Sequence, residues 1–233
     1  MLIGTVAALA RFPVKSMGGE PVSAAQFEAR GVVADRLWAV YTADGGIGSG
    51  KTSQRFRRID GLLNYRSWIS GEDVLLEGPD GRVLLAGDPE SDAVLSEAFD
   101  RPLTLKRESD VPHHDDSPVH LFTTAALRGV SELVGADVDP RRFRANVLVD
   151  TKGTGFPEGD WHDLQLAIGP EVILRLGPGM PRCVMTSAAQ RDLPADGRVL
   201  KSLGTRPGVE FGLMVDVVRG GVIREGDEAT LVS

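Results

Sequence analysis

The chain has 233 residues, with 26 Lys and Arg against 33 Asp and Glu and a net charge of −7. That length fits one large domain or two small ones, and 42% hydrophobic with 25% charged residues excludes a disordered chain. The acidic balance speaks against general nucleic-acid or anionic-membrane binding, and a lone cysteine, Cys183, excludes an internal disulfide and an all-cysteine metal cage.

The 28 glycines and 14 prolines predict many turns and short strands. The start, MLIGTVAALARFPVK, has no positive charge before its apolar run; Arg11 and Lys15 come after it. It therefore reads as a buried first strand over 2–9 rather than a signal peptide. No stretch nears the roughly 18 apolar residues of a membrane helix, so a cytoplasmic protein is expected. Strands are expected at 22–27, 37–41, 62–69, 74–76, 83–85 and 103–106, with GPDG at 78–81 as a hairpin turn. A helix is expected over 91–99, with Val94, Leu95, Ala98 and Phe99 on one face. The polar stretch 108–117, ESDVPHHDDS, is the expected boundary between a unit at 1–107 and a unit at 108–233.

In the second unit, strands are expected at 119–122, 147–149, 164–168, 172–176, 211–218 and 229–232. A helix over 123–134 has Leu127, Val130, Leu133 and Val134 on one face and Gly135 as its stop, and a short helix fits 199–203. The run TKGTGFPEGD before Trp161 marks a second long loop, and no internal repeat is present. The reading is a mainly β chain of one or two mixed β-barrels with a few helices.

Three features carry chemistry. Residues 45–52, GGIGSGKT, satisfy the G-x-x-x-x-G-K-T pattern of a phosphate-binding loop, with Lys51 for phosphate oxygens and Thr52 for Mg²⁺. Asp150, ending NVLVD, would be a second metal contact. Such a loop needs a parallel sheet with repeated helical crossovers. The few helices here favour a glycine-rich hairpin turn instead.

Cys183 lies in a Pro- and Gly-rich loop beside Arg182, and a neighbouring cation favours the thiolate that attacks or binds metal. The competing reading is a small buried hydrophobe. The histidines, 113, 114, 120 and 162, have no metalloprotease spacing, and the His113-His114 pair reads as loop surface. Finally, Lys15 and Ser16, Arg36, Ser117, and Arg142 with Arg144 and Asn146 all fall near expected strand ends. Together they suggest an anion-binding cleft in an acidic protein.

These segments occur in a recognisable order. FPVKSMGGE resembles the Y-P-V-K-S segment of MOSC N-terminal β-barrel domains, and DRLWAV their D-R-x-W strand. DDSPVHL, RRFRANVLVD, EGDWHDLQLAIG, PRCVMT and GGVIREGDEATLV resemble successive motifs of the MOSC domain itself. The chain is similar to two-domain MOSC proteins of the amidoxime-reducing type. It departs from them at Phe12 (for Tyr), Met17 (often Cys) and Ala145 (for Pro). After PRCVMT it reads SAAQRDLPADG where the reductase-type chains have T-V-D-P.

The resemblance implies a molybdenum cofactor (Mo-molybdopterin), with Cys183 as the metal ligand and catalytic residue. It implies cofactor contacts at Lys15, Ser16, Arg36, Asp115, Asp116, Ser117, Arg144, Asn146 and Arg182. It also brings a family-level association with pyridoxal phosphate binding. The implied activity is reduction of N-hydroxylated compounds, amidoximes or hydroxylamines. With no redox segment of its own in the sequence, the chain would draw electrons from an external reductase or ferredoxin-like protein. The alternatives are a cofactor carrier or sulfur-transfer protein, and, more remotely, a P-loop NTPase. The resemblance also gives the glycine-rich stretch a place as a turn before the strand beginning near Thr52 and Arg55.

Overall fold

The computed structural model describes residues 1–206 and 209–232. The first half runs β1 (Leu2–Arg11), β2 (Glu20–Val22), β3 (Ala24–Glu28), β4 (Gly31–Val32), β5 (Trp38–Thr42), β6 (Ile47–Ser49), β7 (Phe56–Arg58), β8 (Arg66–Ser70), β9 (Asp73–Glu77), β10 (Val83–Leu85), α1 (Pro89–Ala98) and β11 (Leu103–Arg107). The second half runs β12 (Val119–Thr123), α2 (Thr124–Val134), β13 (Val147–Asp150), β14 (Gln165–Ile168), β15 (Val172–Pro181), α3 (Gly197–Leu203), β16 (Glu210–Arg219), β17 (Gly221–Arg224) and β18 (Glu228–Val232).

Seven strands close into a barrel in the order β13-β12-β16-β15-β14-β18-β1, and β1 returns to β13. The first strand is therefore the seam of a barrel otherwise built from residues 119–232. Its residues 2–5 pair with β18, 5–9 with β13, and 9–11 with β2. Alternating Val, Leu and Ile side chains fill the interior, among them Val6, Leu121, Val149, Leu166, Leu174 and Val215. Each such buried side chain contributes about 1.5–3 kcal/mol. The parallel pair β12–β13 needs a crossover, and α2 supplies it. Thr123 caps α2 by accepting from Ala126 N at 3.0 Å, and Gly135 ends it at φ +75°. The buried face of α2 packs with α3, Phe122, Phe143 and Phe211.

Two smaller sheets, β11-β5-β6-β7 and β10-β9-β8, surround a second core of Val40, Leu62, Leu76, Leu95 and Leu105. Near the chain's end β17 pairs with β3, tying the two halves together. Among the described residues no helix is long and apolar enough to cross a membrane.

Several expectations need correction. The run 22–27 is two strands: Ser23 interrupts it, and β2 and β3 join different sheets. The run 62–69 begins as a 3-10 turn, Leu62–Asn64, entered from Gly61 at φ +94°. Leu62 and Leu63 are both buried there, which consecutive strand residues facing opposite sides of a half-buried sheet cannot achieve. The helix expected from 91 starts at Pro89, because Asp88 accepts from Glu90 N at 2.8 Å and caps it. The strand expected to stop at 176 continues through GPGMP to Pro181. Beyond Leu176 it pairs with β16 alone, with register shifts, so its prolines sit on a free edge.

The NTPase alternative is overturned. Gly45 N donates to Thr42 O and Thr42 N to Gly46 O, each at 2.9 Å, making the β5–β6 hairpin turn. Residues 47–49 are β6, and the chain after Thr52 enters β7 rather than a helix. No helix N-terminus follows this loop to gather backbone N–H groups around a phosphate.

Candidate functional site

The site forms where the barrel meets the smaller sheets. Segment 12–19 leaves the barrel and laces both sheets together. Lys15 N donates to Trp38 O (2.8 Å), Trp38 N to Pro13 O (3.0 Å), Gly18 N to Tyr65 O (2.8 Å) and Ser67 N to Gly18 O (2.8 Å). Val14 and Met17 are buried in the core. Between them Lys15 and Ser16 turn into a cavity of about 210 Å³. Ser16 does so with a left-handed φ of +65°, which costs an L-residue about 1–2 kcal/mol.

Arg36 and Arg144 enter the same way, at φ +51° and +54°. Asp35, fully buried, accepts from Phe12 N at 2.7 Å and from the Arg36 guanidinium. Arg36 also donates to Arg144 O at 3.1 Å. Arg144 ends a 3-10 turn, Pro140–Phe143, that Asp139 caps at Arg141 N, 2.9 Å away. Its guanidinium donates to Met17 O and lies 4.4 Å from the Phe12 ring centroid, with that of Arg36 at 5.0 Å. Phe12 thus supports two cations with its ring face. Three of the seven positive-φ non-glycine residues among those described line this one cavity. Such a concentration of strain marks functional sites.

Extended β15 delivers Arg182 and Cys183 to the opposite wall. Cys183 is half-buried and free. Its carbonyl accepts from Thr186 N (3.1 Å) and Thr186 Oγ1 (2.9 Å), which fixes the turn after it. Arg182 donates to Phe143 O at 2.7 Å, and its Nε is buried without a partner. Met185 contacts Ser49 Oγ through its sulfur at 3.6 Å, so the glycine-rich loop leans on the Cys183 loop. That contact brings Lys51 into the cavity, 3.1 Å from Asp115 Oδ2, while Asp115 Oδ1 pairs with Lys15.

The structure brings all ten residues singled out in the sequence, Lys15, Ser16, Arg36, Asp115, Asp116, Ser117, Arg144, Asn146, Arg182 and Cys183, to this cavity. Two of them hold the barrel as well. Asn146 accepts from His120 N and donates to Ala10 O, both at 3.2 Å, and so stitches β1, β12 and the approach to β13. Ser117 Oγ donates to Val119 O and accepts from Val215 N at 3.1 Å.

Lys51 and Arg142 also line the cavity. Lys51 was legible only as part of a false phosphate-loop pattern, and Arg142 only as one basic residue among several. Arg142 is buried and donates to Pro194 O at 2.7 Å. Met180, Phe143 and Thr186 had no sequence signal beyond nearness to site residues. His113 and His114, read as loop surface, are buried instead. His113 lies between Tyr41 Oη (3.0 Å) and Arg36 O (3.2 Å), and His114 contacts Arg30 O at 3.1 Å. Burial holds both well below the ordinary histidine value, at about 4, so they are neutral supports of the Arg36 turn.

Six cations, Lys15, Arg36, Lys51, Arg142, Arg144 and Arg182, face two carboxylates, Asp115 and Asp116. This excess sits in a chain of net charge −7. Burial pulls Lys15 down to about 8 against the attraction of Asp115. Burial likewise presses Arg144 to about 9 and Arg182 to about 10. Burial pushes Asp115 upward, but Lys15 and Lys51 overcome it and hold the carboxyl below its usual range. Crowded, desolvated cations favour an anion.

The donor set fits a cofactor with a phosphate and a sulfur-bound metal. The cations and the unpartnered Arg182 Nε suit the phosphate-bearing part, and the Cys183 thiol suits a soft metal. Among the described residues no group of three His, Cys, Asp or Glu could hold a metal alone.

Comparisons with known proteins identify the family. A family model described as MOSC domain matches residues 108–230, and one described as MOSC N-terminal beta barrel domain matches 3–84. Mitochondrial amidoxime reducing component 2 of Bos taurus is 25% identical over a 227-residue alignment covering 79% of this chain. The match spans 66% of that relative's length, just under two thirds. The crystal structure of YUAD protein from Bacillus subtilis is similar in fold, with a TM-score of 0.50 and 12% identity over 98% of this chain and 94% of that one.

Proposed function

The chain belongs to the MOSC family, in the form that carries a MOSC N-terminal β-barrel domain, and from this premise we propose that it is a molybdenum-cofactor oxidoreductase. Its substrates are N-hydroxylated small molecules, amidoximes or hydroxylamines, and its electrons come from an external donor protein. One observation carries the reading: a free thiol, Cys183, shares a cavity with six cations against two carboxylates.

When bound, the cofactor supplies two-electron reductive cleavage of an N–O bond. Cys183 Sγ would ligate the metal as thiolate. Lys15, Ser16, Arg36, Arg144 and Arg182 would hold the phosphate and pterin from two sides, their backbones already set in place. Asn146 and Ser117 keep the barrel end from shifting under these groups. Asp115 keeps Lys15 and Lys51 apart from each other and paired. Lys51 is partly exposed, so the Lys51–Asp115–Lys15 chain holds protons at its two Nζ atoms with one end toward solvent. Reduction of an N-hydroxyl to an amine takes two protons and releases water, and this chain can deliver them.

The test is the metal content of protein made in a host that synthesises molybdenum cofactor. Wild type is expected to carry near-stoichiometric molybdenum and pterin, and Cys183→Ala to lose the metal. Reduced viologen as artificial donor then separates turnover from mere carriage. A folded wild type without molybdenum from such a host rejects the reading.

A further inference from the structure

Segment 187–197, SAAQRDLPADG, departs from the amidoxime-reducing pattern, and most of it takes no part in the cavity just described. Its residues Gln190, Arg191 and Asp192 border a second, larger cavity of about 620 Å³. The turn Pro140–Phe143 and Arg144 separate the two, Arg144 lining both. Eleven of its twenty lining residues are apolar or aromatic, Leu9, Phe12, Tyr65, Phe122 and Leu148 among them.

The charged groups of this lining are already partnered. Glu20 pairs with Arg11, Arg66 and Arg191 pair with Glu77, and Arg141 pairs with Asp139 and Asp192. Arg144 donates to Met17 O and sits over Phe12. Apart from Arg144, which also lines the first cavity, no charge of this lining is without an opposite partner. One polar group stands apart: Gln190 is 8% exposed, and its Nε2 has no hydrogen-bond partner. A buried donor without an acceptor is costly and rare.

We propose that this cavity is a second ligand site, for a neutral, largely apolar molecule bearing one hydrogen-bond acceptor, with segment 187–197 as its lid. The volume lies within the roughly 300–1,000 Å³ of small-molecule sites. The apolar walls supply affinity, and the Gln190 amide, enclosed while the segment is closed, meets the acceptor when the lid moves. The lid is latched to the walls by Arg191–Glu77 and by Arg141–Asp192 at 2.9 Å. Arg191 and Asp192 are solvent-exposed, and exposed ion pairs are weak latches that open readily. On its inner side the lid accepts from Arg142, a residue that also lines the Cys183 cavity. The proposal does not depend on the cofactor reading.

The test uses the full chain and two neutral fluorophores: prodan, an aromatic ketone, and diphenylhexatriene, a hydrocarbon. Wild type is expected to bind both saturably, one per chain, with blue-shifted prodan emission. Ala8→Trp, which puts an indole into the cavity, weakens both. Gln190→Leu weakens prodan about fivefold, as loss of one neutral hydrogen bond does, and leaves diphenylhexatriene unchanged. Arg191→Ala speeds prodan release. Molybdenum content stays at the wild-type level in Gln190→Leu, so failure here is separable from failure of the cofactor reading. Absence of saturable binding overturns the proposal, as does undiminished binding to a folded Ala8→Trp. If Ala8→Trp does not fold, Gln190→Leu decides: equal effects on the two probes overturn the proposal.

Discussion

Replacing Lys15 by Met should make the cofactor-free protein more stable. Lys15 is 4% exposed, and its ammonium is held at about 8 against an ordinary 10.5. At 1.36 kcal/mol per pK unit, that difference corresponds to a penalty of about 3 kcal/mol at pH 7. The figure already includes the attraction of Asp115. Met keeps the stem volume and removes the charge, though Asp115 then keeps Lys51 as its lysine partner. We expect a net gain of about 2 kcal/mol, or roughly 4–8 °C in Tm for a chain of this size.

The pH dependence fixes the cause. Below pH 8 both folded and unfolded Lys15 are protonated, and the full penalty applies. As pH rises from about 8 to 10.5 the folded state releases its proton before the unfolded state, so the unfolded state binds more protons and stability rises. By pH 10 the advantage of Lys15→Met should shrink below about 1 kcal/mol. Chemical denaturation of both proteins at pH 7 and pH 10 measures this. A variant less stable than wild type at pH 7, or one with the same advantage at both pH values, refutes the reasoning. The same variant is expected to lose molybdenum retention, because the group that destabilises the empty cavity is one proposed to hold the anion.

Glu158 presents the opposite sign. Burial raises its carboxyl to about 7, with Thr123 Oγ1 donating to it at 2.9 Å. Its folded value lies above its unfolded one, so stability should fall as pH rises from about 4.5 to 7, by up to about 3 kcal/mol. Glu158→Gln should abolish that fall in a pH series of denaturation curves. Gly212→Ala should cost at least about 3 kcal/mol, since Gly212 has φ +71° and a Cβ would lie 2.5 Å from His120 Nε2 and 2.6 Å from Leu121 O. A shift in denaturation midpoint below half that size would count against the backbone placement there. Asn146→Ala should cost about 2–3 kcal/mol through two lost bonds at the barrel seam. Equal thermal stability of variant and wild type would show that the seam does not need them.

The sequence was most informative where one residue's chemistry is decisive locally. Thr123 and Gly135 bracket α2 as caps do anywhere, and the alternation in 119–122 and 211–218 reads as buried strand. The ordered motifs also carried the family, and the ten residues they single out line one cavity. Less legible were segments whose shape depends on distant partners. The register of β1 with β13 and β18 closes a barrel across more than 130 residues, and no local pattern encodes that closure. GPGMP looks like a strand breaker, yet it is strand because its free edge tolerates prolines.

By itself, then, the amino-acid order determined a mainly β chain, an acidic total charge, and the types of residue available for an anion and a soft metal. Tertiary structure decided which of them meet. Lys51 reaches the cavity because Met185 meets the glycine-rich loop, and His113 and His114 are neutral because the Arg36 turn packs over them. Charge, pKa and strain at a site are set by neighbours through space, at distances of a few ångströms that chain separation does not predict.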